Sequence, residues 1–185
     1  MKAGPTSYIK MSYLLSSRAL EELDIISATI EPGELKIVNS STFLFYRISL
    51  QYVFVLEILK ILDKPPKSKF PLQNEGSLRK YLNGIQNLTI ENKNEIINHI
   101  EELKNGSEYS LLIIWRDKKL AHFDGDFEIL PNSIPLFNNL EIKAFKLFLD
   151  KIKDMIIKVF DLAGEDFPIQ FPRSITKGFL QNYAK

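Results

Sequence analysis

The sequence predicts an all-α fold, an up-and-down bundle of four or five long helices. Three observations carry that prediction. Apolar residues recur at three- and four-residue steps through each long segment. Breaking pairs such as Pro32-Gly33, Pro65-Pro66 and Asn105-Gly106 fall between those segments. Between the long segments, Phe127-Glu128-Ile129-Leu130, lying before Pro131 and Pro135, reads as no more than a short extended piece.

A first helix is predicted over residues 6–30, where Tyr8, Met11, Leu15, Ala19, Leu23 and Ile26 recur at helical spacing. Pro32-Gly33 ends it. A second begins near the capping residues Asn39-Ser40-Ser41 and runs to about Asp63. It is apolar on more than one face, which places it centrally. Lys64 to Lys67, Pro71 and Gly76 mark a loop, and a short helix follows around Ser77–Asn87. Glu91 to His122 reads as one long helix or two, interrupted at Asn105-Gly106. Asp124-Gly125 is a turn signal. A further long helix spans about Asn138 to Ala163, stopped by Gly164, with Ile142, Phe145, Phe148, Leu149, Ile152, Ile156, Val159 and Phe160 on its apolar face. Residues 164–185 read as an extended tail wrapping the bundle, with a last helical turn or two over Ser174–Tyr183.

The chain of 185 residues predicts one domain over 1–185, with residues 1–10 a candidate arm. Cysteine is absent, which excludes a disulfide framework, a thiolate nucleophile and a zinc–thiolate site. The net charge of +1 does not announce a polyanion partner, so any basic surface is local. The most apolar segment, Phe43 to Leu62, carries Arg47, Gln51, Glu57 and Lys60. Those groups argue for a buried helix rather than a membrane span, and polar side chains on so apolar a helix need partners. A buried network or a dimer seam satisfies that need, and Arg47 is the one that could also reach a functional cleft. Without a segment of signal-peptide length at the N-terminus, a cytoplasmic protein is expected.

Chemistry concentrates in one stretch, Arg116-Asp117-Lys118-Lys119-Leu120-Ala121-His122-Phe123-Asp124. The apolar run Leu111-Leu112-Ile113-Ile114-Trp115 precedes it and should anchor it in a core. It holds a permanent cation with a forked donor set and one of the chain's two histidines. Imidazole titrates near neutrality and can move protons in either direction. The other histidine, His99, lies in the polar stretch Asn98-His99-Ile100-Glu101 and reads as surface or helix packing. The lysines at 143, 146, 151, 153 and 158 read as the wet face of an amphipathic helix. There is no Walker-type glycine loop, dinucleotide fingerprint or paired-His metal helix, so no cofactor and no metal are expected. Asp124 and Asp126 flank a glycine as turn residues do.

The string Arg-Asp-Lys-x-x-Ala-His-x-Asp on a helix of an all-helical domain resembles the HEPN superfamily, and within it the AbiU-like abortive-infection branch. Arg47 to Lys64, ending Leu62-Asp63-Lys64, is similar to that family's second helix. The resemblance implies a metal-independent endoribonuclease, a toxin or phage-defence effector that works as a homodimer. Arg116 and His122 would be the catalytic pair, with Asp117, Lys118, Lys119, Asp124 and Arg47 binding RNA or supporting the site. It also implies RNA as substrate and an antitoxin or defence-complex partner. The alternative is a non-catalytic HEPN-like module that binds RNA, a nucleotide or another protein. Some family members carry a tyrosine two residues after the histidine as a site of AMP modification; here that position is Asp124, which puts such control in doubt.

Geometry limits how the pair could act. On a regular helix, residues six apart lie about 120° around the axis and about 9 Å along it. Arg116 and His122 then do not share a face, whereas Lys118 and His122 do. Either the helix distorts near its C-terminal end, or the arginine reaches round, or each residue meets its partner across a two-fold axis.

Overall fold

The computed structural model describes residues 5–62, 77–86, 88–120, 136–167 and 174–183, apart from the side chains of 5, 118–120, 179 and 181–183. Among them every regular element is helical. In chain order these are α1 (Pro5–Ala28), α2 (Pro32–Val38), α3 (Ser41–Leu62), α4 (Leu78–Gly84), α5 (Ile90–Lys104), α6 (Ser107–Ile114), a π-helical segment (Trp115–Leu120), α7 (Asn139–Leu162) and α8 (Ile175–Tyr183). The expected loop at 64–76 and the expected extended piece at 127–130 lie outside the described residues.

α1 and α3 make the most extensive helix pair, and α7 packs against α1, α5 and α6. All eight apolar positions expected on α7 are buried in the main core. Phe54, Phe137, Phe145 and Trp115 form an aromatic cluster there, with ring centroids 4.5–6.0 Å apart in edge and tilted contacts. A smaller core joins Ile26, Val38, Phe43 and Leu180.

α7 is closed at both ends by its own sequence. Asn138 accepts from the amides of Leu140 and Glu141, while Glu141 reaches back to the Asn138 N–H, a reciprocal capping box. At the other end Glu165 N–H donates to Phe160 C=O and Gly164 N–H to Asp161 C=O, a Schellman arrangement. Gly164 stands at φ 68°, where a side chain meets no neighbour but the backbone is strained. Gly164→Ala is therefore expected to cost about 1–2 kcal/mol from backbone conformation alone. Urea unfolding should show a lower midpoint at unchanged slope; an unaltered midpoint would mean that the turn can relax.

Four expectations are corrected. The stripe of α1 is shifted in its first half: Met11 and Leu15 are exposed and Ile9, Ser12, Tyr13 and Ser16 are buried, while Ala19, Leu23 and Ile26 are buried as expected. Small serines let α1 approach α3, and their hydroxyls are satisfied, Ser12 by Glu57 at 2.7 Å and Ser16 by the Tyr13 carbonyl at 3.0 Å. Secondly, Pro32-Gly33 does not merely end a helix. Pro32 starts α2, because proline at the first helical position lacks only an N–H that would be unpaired.

Thirdly, residues 5–10 are not an arm. They are the first turns of α1, with Ile9 fully buried and Lys10 Nζ donating to the Asp166 carbonyl at 2.7 Å. Finally, the tail is not extended throughout: Ile175–Tyr183 is helix, the last turns expected over Ser174–Tyr183. Its N-terminus is held by Glu22, whose carboxylate accepts from Ser174 Oγ and from the amides of Ile175 and Thr176 at 2.8–3.1 Å.

α3 is long and apolar enough to cross a membrane by length and composition. Here Phe54, Val55, Ile58, Leu59, Ile61 and Leu62 are buried in the main core. Its polar residues form the expected network in part. Gln51 Oε1 accepts from the Phe137 N–H at 2.6 Å, and Glu57 binds Ser12 and Lys60. Gln51 thereby pins the segment that leads into α7.

Candidate functional site

The motif segment is built on Trp115. This is the chain's single tryptophan and it is fully buried. Its ring meets Phe137 edge-on at 4.5 Å, and its indole N–H donates to Glu141 Oε1 at 3.2 Å. The other Glu141 oxygen closes the capping box of α7. One carboxylate thus joins the start of α7 to the start of the motif.

From Trp115 onward the α-helix widens into a π-helical segment that runs to Leu120. Such i→i+5 turns are rare and occur often at functional sites. The helix does distort from Trp115 to Leu120, the first of the three geometric alternatives. Lys118 and Lys119 lie on this segment by their backbone. His122, Asp124 and Asp126 fall outside the described residues.

Arg116 and Asp117 leave the core together. Nε of Arg116 donates to Asp117 Oδ1 at 2.6 Å and the Arg116 Nη2 atom donates to Oδ2 at 3.1 Å. Both side chains are open to solvent, at 38% and 53% exposure. The bidentate bond from Arg116 lowers the Asp117 pKa and fixes the plane of the guanidinium.

Arg47 is elsewhere on the same structural unit. It lies on α3, half-buried, and no ion pair or hydrogen bond to it is present among the described residues. Burial alone lowers its pKa. It lines an open cavity of about 550 Å³ with Asn39, Thr29, Asn139, Phe137 and Leu140. Phe137 is the ring that packs on Trp115, so one aromatic side chain separates this cavity from the residue preceding Arg116. Among the described residues Arg47 does not join the network expected for α3, which Gln51 and Glu57 form in part.

His99 is exposed, as expected, and lines a groove of about 470 Å³ between α5 and α7 with Glu102, Lys151, Asp154 and Lys158. Lys143, Lys146 and Lys151 are exposed and Lys153 and Lys158 partly so; Lys146 pairs with Asp24, and Lys158 with Glu95. Among the described residues no group of three or more His, Asp or Glu could hold a metal ion.

Sequence reasoning missed Phe137 and Glu141 as supports of the motif. The Asn-x-x-Glu spacing at 138–141 was a usable signal for the cap. Nothing in the local sequence reveals that its carboxylate also takes the Trp115 indole.

These features define a helical domain that presents an Arg–Asp pair from a widened helix over an aromatic core. The family model HEPN_AbiU2, described as AbiU2, matches residues 15–182. The chain therefore belongs to the HEPN_AbiU2 family. No curated protein and no solved structure matches it.

Proposed function

We propose that this chain is a single HEPN-like domain that acts as a metal-independent endoribonuclease, a cytoplasmic toxin or phage-defence effector. Its site would be composite, with Arg116 and His122 of two identical subunits facing one phosphodiester. Family membership over residues 15–182 gives the class. The observation that carries the reading is the solvent-open Arg116 on a π-helical segment, its guanidinium plane held by Asp117.

The chemistry needs those residue types. The ribose 2′-hydroxyl loses a proton and attacks phosphorus, the bond from phosphorus to O5′ breaks, and O5′ gains a proton. Imidazole suits both proton transfers, and a fixed guanidinium suits the charge that builds on the phosphorane oxygens. One subunit supplies one motif histidine, whereas a two-fold axis supplies two. Lys118, Lys119 and Asp124 are assigned to contacts with the strand. Exposed Ile114, two positions before Arg116, offers apolar surface to a second copy.

Purified protein is expected to cut RNA in excess chelator. Arg116→Ala and His122→Ala should each lower the rate by at least about a hundredfold, the usual range for one charge-stabilising or proton-transferring group. Cleavage that survives the double substitution would remove the proposal.

The Arg116–Asp117 bond also gives a second reading some support, because a guanidinium satisfied by its neighbour is a structural element rather than an open ligand site. On that reading the chain is a non-catalytic binding module of a defence complex, with an antitoxin or another protein as partner. It predicts a dimer or complex in solution and no turnover of any RNA.

A further inference from the structure

Arg47 presents an unusual energetic situation. A guanidinium loses hydration when buried, and proteins offset that loss with a carboxylate or with carbonyl acceptors. Its Nε is buried without a hydrogen-bond partner. The described lining of its cavity contains no carboxylate; the polar groups there are the amides and hydroxyls of Asn39, Asn138, Asn139, Ser27 and Thr29. α7 begins at Asn139, which lines the same cavity, and the Glu141 carboxylate that caps this helix end is engaged by the Asn138 N–H and the Trp115 indole rather than by Arg47. A cavity of about 550 Å³ is within the range that takes a small ligand.

We propose that the Arg47 cavity is a phosphate-binding site, separate from the Arg116–His122 motif, in which the guanidinium fork takes two phosphate oxygens. Two sources share that chemistry, a free phosphate compound and a backbone phosphate of a bound RNA strand. The second rests on the nuclease reading and the first does not. Phe137 ties the site to the motif, since it lines the cavity and packs on Trp115.

The experiment compares wild type with Arg47→Gln and Arg47→Lys, using inorganic phosphate and a 2′-O-methyl RNA that cannot be cut. Inorganic phosphate at matched ionic strength should raise the melting temperature of wild type and change the fluorescence of Trp115, with neither effect in Arg47→Gln. In phosphate-free buffer Arg47→Gln should melt at or above wild type, because an uncompensated charge has left a half-buried place. If the strand is the ligand, Arg47→Gln should weaken binding of the uncleavable RNA about tenfold and reduce its salt dependence by about one counterion.

A response to phosphate alone assigns a free ligand, and a response to RNA alone assigns the strand. Arg47→Lys, which keeps charge but loses the fork, should fall between, and it carries the test should the glutamine variant misfold. Equal responses in wild type and variants to both probes would overturn the site. Because neither probe is turned over, a failed cleavage assay and a failed phosphate site remain distinguishable.

Discussion

Trp115→Ala is expected to destabilise the protein by about 3–5 kcal/mol, the range for deleting a fully buried large aromatic ring. Domains of ordinary size are stable by about 5–15 kcal/mol, so much of the margin would go. The melting temperature should drop by about 10 °C. The loss has two parts. A cavity opens beside Phe137, whose ring sits 4.5 Å from the indole, and Glu141 loses the donor it holds at 3.2 Å. Trp115→Phe separates them, because it keeps most of the packing and removes the N–H. It should cost about 1–3 kcal/mol, since the lost bond has a charged acceptor.

The same substitutions test how the motif is positioned. The π-helical segment starts on Trp115, and Arg116 follows directly. On the proposed nuclease function, Trp115→Ala should therefore lower RNA cleavage by more than the unfolded fraction accounts for, measured at a temperature where the variant remains helical by circular dichroism. Stability unchanged within about 1 kcal/mol would show that the indole does not anchor the segment.

Glu22 is the second strong lever. Its side chain is 1% exposed and binds Arg18 at 2.8 Å, besides the three donors at the start of α8. Glu22→Ala should cost about 3–5 kcal/mol, as expected when one partner of a buried ion pair is removed. Hydrogen exchange should locate the damage in residues 175–183. Leu180 would leave the small core it shares with Ile26, Val38 and Phe43.

The pH dependence has a definite sign. Burial acts to raise the Glu22 pKa, but hydrogen bonds from Thr176, Ile175 and Ser174 together outweigh it and hold the group below the usual glutamate value. A depressed folded-state pKa stabilises the protein above the unfolded value of about 4.3. That contribution disappears as pH falls through the lower folded value. The gap in stability between wild type and Glu22→Gln should thus be widest near neutrality and should narrow below about pH 4.3. A gap that stays constant with pH would mean that the charge of Glu22 is not what holds α8.

Where the sequence was legible, the reason is local. α7 could be read because its apolar stripe, Asn138 cap and Gly164 stop all agree. The break at Asn105-Gly106 and the start of α3 at Ser41 were equally local. α1 was read as a helix whose stripe is right only in its second half, at Ala19, Leu23 and Ile26, because periodicity does not know that serines will line the seam with α3. Ser12 and Ser16 are buried only because Glu57 and a backbone carbonyl receive them. For the motif, Arg116 and Asp117 were found by residue type. The bidentate pairing, the widened turn and the role of Glu141 depend on which helix lies alongside.

The sequence by itself determined the helical class, the positions of most helix ends and the family, because propensity, caps and motif spacing act over a few residues. Only the tertiary structure decided that α8 hangs on Glu22, that Trp115 and α7 share one carboxylate, and that Arg47 faces a cavity whose described lining holds no carboxylate. Those outcomes join residues 26 to 154 positions apart or leave the Arg47 Nε without a partner among the described residues, and burial and pairing at such separations follow from packing.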